Sequence, residues 1–576
     1  MSSPNMNPEN DMYKIKNFEI NELDKALEEL PSLVCDSQEC FELASLTIEY
    51  AYTNISPFIG QSLRNGLSIL APYFIANNSH NYPNIESLMS DINFGYHYYI
   101  IREYLYYTYN SLDSFSWKFD KNKVEIKFTN PTIPRQFFIA ANNHILGSIM
   151  LFSNYQNSNQ IIELLKGEEE FSVSKKIEQA WELIVDEVEM KLSNYYNFLD
   201  PESQIKLGDY SYSQFYKIYK TLLTKALFHR YYGQSNGIAS QIYMPISEIV
   251  HDLSQTTELS PEVCFAIIKD MSYSIEAQQN KIQPLYFSLY NLQPKNHILM
   301  MPCDFCFWEG LVSMLRIWAI KYPKIFLNSL NSQLSNNFVN HVSEMFSNQG
   351  FTCAKNVCLS QFDKSLPDID LLVISEEPTL GYVVYCCEVK NPLPPKWSKD
   401  QLKVLNKDSV MKGFGQIERI GKFLASEEGI IFLRNQLPKE GLPHFGNQFL
   451  MMCNSLIITS DNAGMFFGNE KCAVIDYRTL DNILQRCDGD IAYVQWAIQN
   501  LNQLIDQSLK IVQVECQVGS TTVIYEGVTL GQVLDFGQNK YKSDGIDIQF
   551  AQDFIKSGGH PFDFFPKSPS SDEIDS

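Results

Sequence analysis

Residues 366–393 read LPDIDLLVISEEPTLGYVVYCCEVKNPL, and the alternation within them sets the reading of the rest of the chain. Asp370 opens an apolar run, 371–374. Residues 375–381 are polar and carry Pro378, the composition of a turn. Residues 382–390 read as the return strand of a β-hairpin. Side chains alternate along a strand, so Cys386, Glu388 and Lys390 share one face, and Asp368 and Asp370 share a face of the partner. Pairing across the turn therefore brings an aspartate near Glu388, with Lys390 beside them.

Two carboxylates a few ångströms apart repel unless something neutralises them. A divalent cation does so. Mg²⁺, or Mn²⁺ in its place, takes hard oxygen ligands and keeps waters and phosphate oxygens in its shell. Such a metal polarises a phosphodiester and lowers the pKa of a bound water. Asp370 and Glu388 are the expected carboxylate ligands, the Val389 carbonyl is a further candidate, and Lys390 is placed to orient the attacking water.

Outward from this hairpin the texture differs on the two sides. From about residue 301 onward, short β-type runs (370–374, 382–389, 455–459 and 473–476) alternate with helical patterns, which predicts an α/β or α+β domain around one sheet. Residues 16–300 are mainly helical, as in 177–192, where Ile177, Ala180, Trp181, Ile184, Val188 and Leu192 recur at three and four residues. Within that region, 241–273 has helix-turn-helix spacing, with Ser260 as N-cap and Pro261 at the first helical position. Its second helix has one Lys against Glu262 and Asp270, so packing is the better reading than DNA contact. The tyrosine-rich run 98–109 could stack bases, but half-buried core is the commoner use of such a stripe. Residues 491–565 predict a C-terminal α+β extension. The ends, 1–15 and 566–576, read as loose polar tails, the latter acidic.

The residues Pro367-Asp368-Ile369-Asp370 followed by Glu388-Val389-Lys390 resemble the PD-(D/E)XK, or restriction-endonuclease-like, nuclease superfamily, and most nearly its type IV restriction enzymes and Holliday-junction resolvases. The resemblance spans about residues 330–490 within an expected domain of 301–490. It implies an α/β core with a mixed central sheet flanked by helices, following a mainly α-helical N-terminal region. It also implies that the aspartate and glutamate bind metal while the lysine assists water. Asp370, followed by Leu-Leu-Val, matches the family aspartate, and Asp368 is the alternative if the hairpin register differs by two residues. Gln416 begins a helical pattern where many members carry a glutamine near the site. Residues 338–351 resemble the leading helix, which in many members carries a metal-supporting glutamate directly after its first Phe. Val339 stands there, with Glu344 the acidic residue available in its place and His341 a further residue able to approach the site.

A second feature points to nucleic acid. Between Lys390 and Lys422 there are eight basic residues against three acidic ones, in a chain of net charge −22. Lys396, Lys399, Lys403, Lys412 and Arg419 are the expected phosphate contacts, with Trp397 interleaved. The overall acidity excludes a general polycationic coat, so any nucleic-acid surface must be local.

Other constellations carry less. Cys303 and Cys306 form a C-x-x-C pair, but zinc would need two more ligands, and Cys353 with Cys358 are badly spaced for it. No Walker A loop and no G-x-S-x-G elbow occurs. Thirteen cysteines without a repeated spacing predict reduced thiols in a cytoplasm. The first residues predict no secretory leader, and no apolar run is long enough to predict a membrane span. The expectation is a metal-dependent endonuclease acting on DNA, with a role in genome defence by family analogy alone. The helical region would recognise a protein partner, a second copy, a ligand or the substrate, and so gate cleavage. The alternative is a catalytically inactive nuclease-like binding or scaffold protein.

Overall fold

The computed structural model describes residues 8–76, 79–111, 113–130, 133–135, 137, 155–168, 174–194, 198–293, 295–377, 381–406, 409–438, 450–461 and 472–530. Residues 1–7, Lys407, the stretch 531–565 and the acidic tail 566–576 lie outside the described residues. The protein is mixed α/β with a helical N-terminal region.

The chain opens with helices α1 (Pro8–Phe18), α2 (Ser37–Tyr50), α3 (Pro57–Ala76) and α4 (Ile85–Asn110). A loose tail to residue 15 was the expectation, yet α1 starts at Pro8, because Ile15 and Phe18 bury against Trp117 and Phe119 and anchor the polar stretch around them. The Asp36 and Asn84 side chains cap α2 and α4, accepting from the Glu39 and Ser87 amides at 3.1 Å each. α3 and α4 cross at Gly66 and Gly95, where a Cβ on Gly66 would sit 2.1 Å from the Ile92 carbonyl oxygen, a distance no side chain permits. Tyr99, Tyr104 and Tyr107 of α4 are buried in the core, and Tyr104 stacks on Phe137 with ring centroids 4.5 Å apart, so this stripe is packing.

A hairpin of β1 (Phe115–Asp120) and β2 (Lys123–Phe128) follows, then α5 (Ser158–Leu165), α6 (Lys175–Asn194) and α7 (Tyr212–Asn236). Next come β3 (Ile242–Pro245), α8 (Ile246–Thr257), α9 (Pro261–Met271), β4 (Ser272–Tyr273), β5 (Leu289–Leu292) and β6 (His297–Met300). The turn between α8 and α9 passes through Glu258 at φ 57°, and the Ser260 side chain accepts from the Val263 amide. Behind the two helices lies a sheet ordered β3-β6-β5-β4. This sheet was not anticipated, because strands of two to four residues are too short for alternation to register.

The second half is built on a five-stranded sheet. α10 (Gly310–Lys321) and α11 (Asn331–Ser347) lead to β7 (Thr352–Val357), β8 (Ile369–Glu377) and β9 (Gly381–Lys390). Then follow α12 (Ser398–Asn406), α13 (Ser409–Leu424), α14 (Glu427–Gln436), β10 (Leu450–Thr459) and β11 (Ala473–Asp476). The order is β11-β10-β9-β8-β7, antiparallel from β7 to β9 and parallel from β9 to β11. β9 is central and buried along almost its whole length, which accounts for its near-continuous apolar sequence. One face, with Leu371, Val373, Tyr385 and Cys387, packs on Phe338, Val342 and Phe346 of α11. The other, with Leu372, Ile374, Val384 and Cys386, packs on Ile420 and Leu424 of α13 and Phe432 of α14.

The chain continues through α15 (Tyr477–Cys487), α16 (Ile491–Ser508), β12 (Leu509–Val518) and β13 (Thr521–Leu530). β13 lies parallel beside β2, making a sheet of order β1-β2-β13-β12. The C-terminal extension is thus joined to the N-terminal region through a shared sheet. Among the described residues, no helix is long and apolar enough to cross a membrane.

Candidate metal centre

The register of β8 and β9 pairs Leu371 with Cys387, so the next pair outward is Asp370 with Glu388. Their side chains lie on the face covered by α13. Asp370 Oδ2 accepts the Val389 amide at 2.8 Å, just beyond the last ladder pair. Amide and carbonyl of one strand residue face the same neighbour, so the Val389 carbonyl also lies on the Asp370 side. Lys390 Nζ forms an ion pair with Glu388 Oε1.

Glu388 is completely buried. Burial, with the adjacent Asp370 charge second, pushes its pKa up to about 7, and Lys390 pulls in the opposite direction. The Asp370 and Glu388 carboxylates approach closely enough to share a proton when Glu388 is protonated, whereas in the ionised form Glu388 Oε2 has no donor among the described residues. A buried carboxylate oxygen with no donor is costly. A hard divalent cation is the kind of group that would satisfy it. The residues fit Mg²⁺ or Mn²⁺ with one or two protein carboxylates, the remaining ligands being water and phosphate. No group of three or more His, Cys, Asp or Glu side chains able to hold a metal ion occurs among the described residues, so neither a denser cage nor a zinc site at Cys303 and Cys306 is formed.

The helix over this face comes close because of Gly413. A Cβ there would lie 3.1 Å from Ile457 Cδ1 and 3.6 Å from Glu388 Cγ. Gln416, one turn further along α13, is half-buried. Asp368 is exposed, and its Oδ1 accepts the Leu359 amide at 3.2 Å, so of the two aspartates it is Asp370 that meets Glu388.

The structure does not bring the remaining expected residues together. Glu344 is exposed on α11, and His341 packs between Phe198 and Tyr477 with ring centroids 5.7 and 5.6 Å away. Both belong to the helix across the sheet from Glu388, because α11 covers the odd-numbered face. Val339, at the position of the family glutamate, is buried in that same apolar core.

The basic run is also dispersed. Lys396 is buried, with burial lowering its pKa to about 8 against the charge of Glu309, so it is not a surface contact for phosphate. Lys399 is exposed and lies 5.8 Å from the ring centroids of both Tyr106 and Trp397. Lys403 is exposed on α12, and Lys412 and Arg419 on α13. Arg419 Nη1 donates to the Ser365 carbonyl at 3.0 Å, bracing the loop that enters β8.

Residues outside the motif hold the segment that follows Lys390. Arg316 of α10 donates to the Leu393 and Pro394 carbonyls at 3.2 to 3.3 Å and pairs with Asp400 at 3.3 Å. Glu103 of α4 accepts the Ser398 amide at 2.6 Å, capping α12. These partners come from segments far apart in sequence, and no local signal marks them. On the opposite face of the sheet end, a small cavity is lined by Glu309, Asn391, Ser460, Asp461, Tyr477 and Arg478.

No family model, no curated protein and no solved structure matches the chain.

Proposed function

We propose that the protein is a metal-dependent nuclease of the restriction-endonuclease-like kind that hydrolyses phosphodiester bonds, with DNA as substrate. One observation carries the reading: Asp370, Glu388 and Lys390 meet at the paired ends of two core strands, and Glu388 Oε2 is buried there without a donor among the described residues. Asp370, Glu388 and the Val389 carbonyl would hold Mg²⁺ or Mn²⁺, which when bound polarises the phosphodiester and acidifies a water. Lys390, released from Glu388, orients the attacking water and offsets charge developing on the phosphate. Gln416 supports the lysine or a phosphate oxygen. Lys399, Lys403, Lys412 and Arg419, on the two helices after β9, supply local positive potential for the backbone of the nucleic acid. The helical region regulates the site through its hold on the segment after Lys390, and genome defence is the role this architecture suits by analogy.

The test is plasmid cleavage with Mg²⁺ by the wild type, Glu388→Gln and Lys390→Ala. Cleavage by the wild type alone is the expected outcome, and equal digestion by all three removes this site from catalysis.

A second reading is a nuclease-like scaffold without activity. It is favoured by Val339 where an acidic residue would support the metal, and by the full burial of Glu388 beneath α13. DNA binding by all three proteins with cleavage by none would select it.

A further inference from the structure

Two cysteines share the face of the sheet that carries Glu388. Cys386 lies on β9, two residues before Glu388, and is buried. Cys453 lies on β10, opposite Val384 in the parallel register, and is an exposed residue. Strand alternation turns residues 384, 386 and 388 to one side, and their partners 453, 455 and 457 with them. The two sulfurs are 3.6 Å apart.

We propose that Cys386 and Cys453 are a redox modification site which hydrogen peroxide closes to an inter-strand disulfide, and that closure disables the neighbouring acidic centre. In the first step the Cys453 sulfur attacks one peroxide oxygen. An S–O bond forms, the O–O bond breaks, and the departing hydroxide leaves as water with the thiol proton. Cys453 is now a sulfenic acid. In the second step the Cys386 sulfur attacks the Cys453 sulfur. The S–S bond forms, the S–O bond breaks, and hydroxide leaves as water with the Cys386 proton. Two thiols and one peroxide thus give one disulfide and two waters, two electrons passing from sulfur to oxygen.

Access and proximity divide the roles. Cys453 is the exposed residue of the pair, with its sulfur turned inward onto Cys386, and Cys386 is already in place to resolve it. A disulfide requires the sulfurs to approach to about 2.05 Å. Cys386 and Cys453 sit diagonally across the strand pair rather than opposite each other, so the backbone must shift to close the bond, one face-neighbour away from Glu388, whose carboxylate pairs with Lys390. A catalytic constellation tolerates little displacement, roughly 0.5 Å. The effect on cleavage rests on the nuclease reading, whereas the disulfide does not.

The experiment treats the full chain with stoichiometric hydrogen peroxide, maps disulfides by non-reducing peptide mass spectrometry and measures plasmid cleavage before and after dithiothreitol. The expected result is a 386–453 cross-link in the wild type and none in Cys453→Ser, a cysteine-to-serine change at an exposed position. With it comes a cleavage loss of tenfold or more in the wild type, reversed by dithiothreitol and absent in the variant. Absence of the cross-link, or oxidation of Cys453 to the sulfinic acid instead, overturns the proposal. A cross-link with cleavage unchanged overturns its regulatory half. A reduced wild type that never cleaves removes the nuclease reading, and that regulatory half with it, while the cross-link result stands on its own.

Discussion

The helix-turn-helix module of α8 and α9 and the acidic end of the five-stranded sheet handle charge in opposite ways. In the module the charges are matched. Asp270 of α9 accepts from Tyr210 at 2.7 Å, Tyr322 at 2.9 Å and Lys321 at 2.9 Å. Lys269 pairs with Glu276 at 2.8 Å, and Lys225 pairs with Asp252. The outward side of α9 presents Glu262 and Phe265 beside the paired Lys269, a poor surface for phosphates. At the sheet end, two carboxylates face each other over one lysine, and a fully buried carboxylate oxygen has no donor among the described residues. A satisfied network stabilises a fold, whereas an incompletely satisfied one marks a place where a further group belongs.

Three measurements test this contrast. The largest effect is expected from paired variants. Asp370→Asn should lower cleavage by about 10²-fold or more, the scale of a lost catalytic group, with the urea midpoint little changed. Asp270→Asn should do the reverse. It leaves Lys321, nearly buried, without its counter-charge, at a cost of about 3 kcal/mol or more, while cleavage per folded molecule is unchanged. If Asp270→Asn abolishes cleavage in protein that remains folded, the two regions are not separable as described.

A smaller effect is expected from pH. Burial raises the pKa of Glu49 to about 8 and those of Glu103, Glu309 and Glu388 to about 7, from an ordinary value of 4.5. Each holds a proton more tightly folded than unfolded. Their contribution to stability is complete below the unfolded value and is lost as pH rises through 7 to 8. The melting temperature should therefore be higher at pH 6 than at pH 8, and Glu103→Gln should flatten that dependence. A melting temperature that climbs from pH 6 to pH 8 would contradict it.

The smallest effect concerns DNA affinity. Lys399→Glu combined with Lys403→Glu should make the slope of log affinity against log salt shallower by about 1 to 2. Phe265→Ala with Glu262→Ala in α9 should leave that slope unchanged. A change in the second pair alone would place the nucleic-acid surface on the module.

Much of the five-stranded sheet is legible in the sequence. The runs 370–374, 382–389, 455–459 and 473–476 lie inside β8, β9, β10 and β11, because strands buried on both faces read as bounded apolar runs. The convergence of Asp370, Glu388 and Lys390 follows from period-two alternation across one turn. The dispersal of the basic run is not legible, since charge in a window does not reveal that Lys396 threads into the helical body beside Glu309. Nor is the side on which α11 lies. Its own periodicity gives an apolar face, but not which face of the sheet that stripe meets, so Glu344 and His341 fall across the sheet from the acids.

By itself, then, the sequence determined the strands, their alternation and the identity of the three groups that meet, because these depend on neighbours a few residues apart. Only tertiary structure decided depth and company: the cover of α13 over Glu388, the burial of Lys396, the hold of Arg316 and Glu103 on the segment after Lys390, and the meeting of Cys386 with Cys453. Burial and electrostatic environment are set by elements brought in from distant parts of the chain, and no local pattern carries that information.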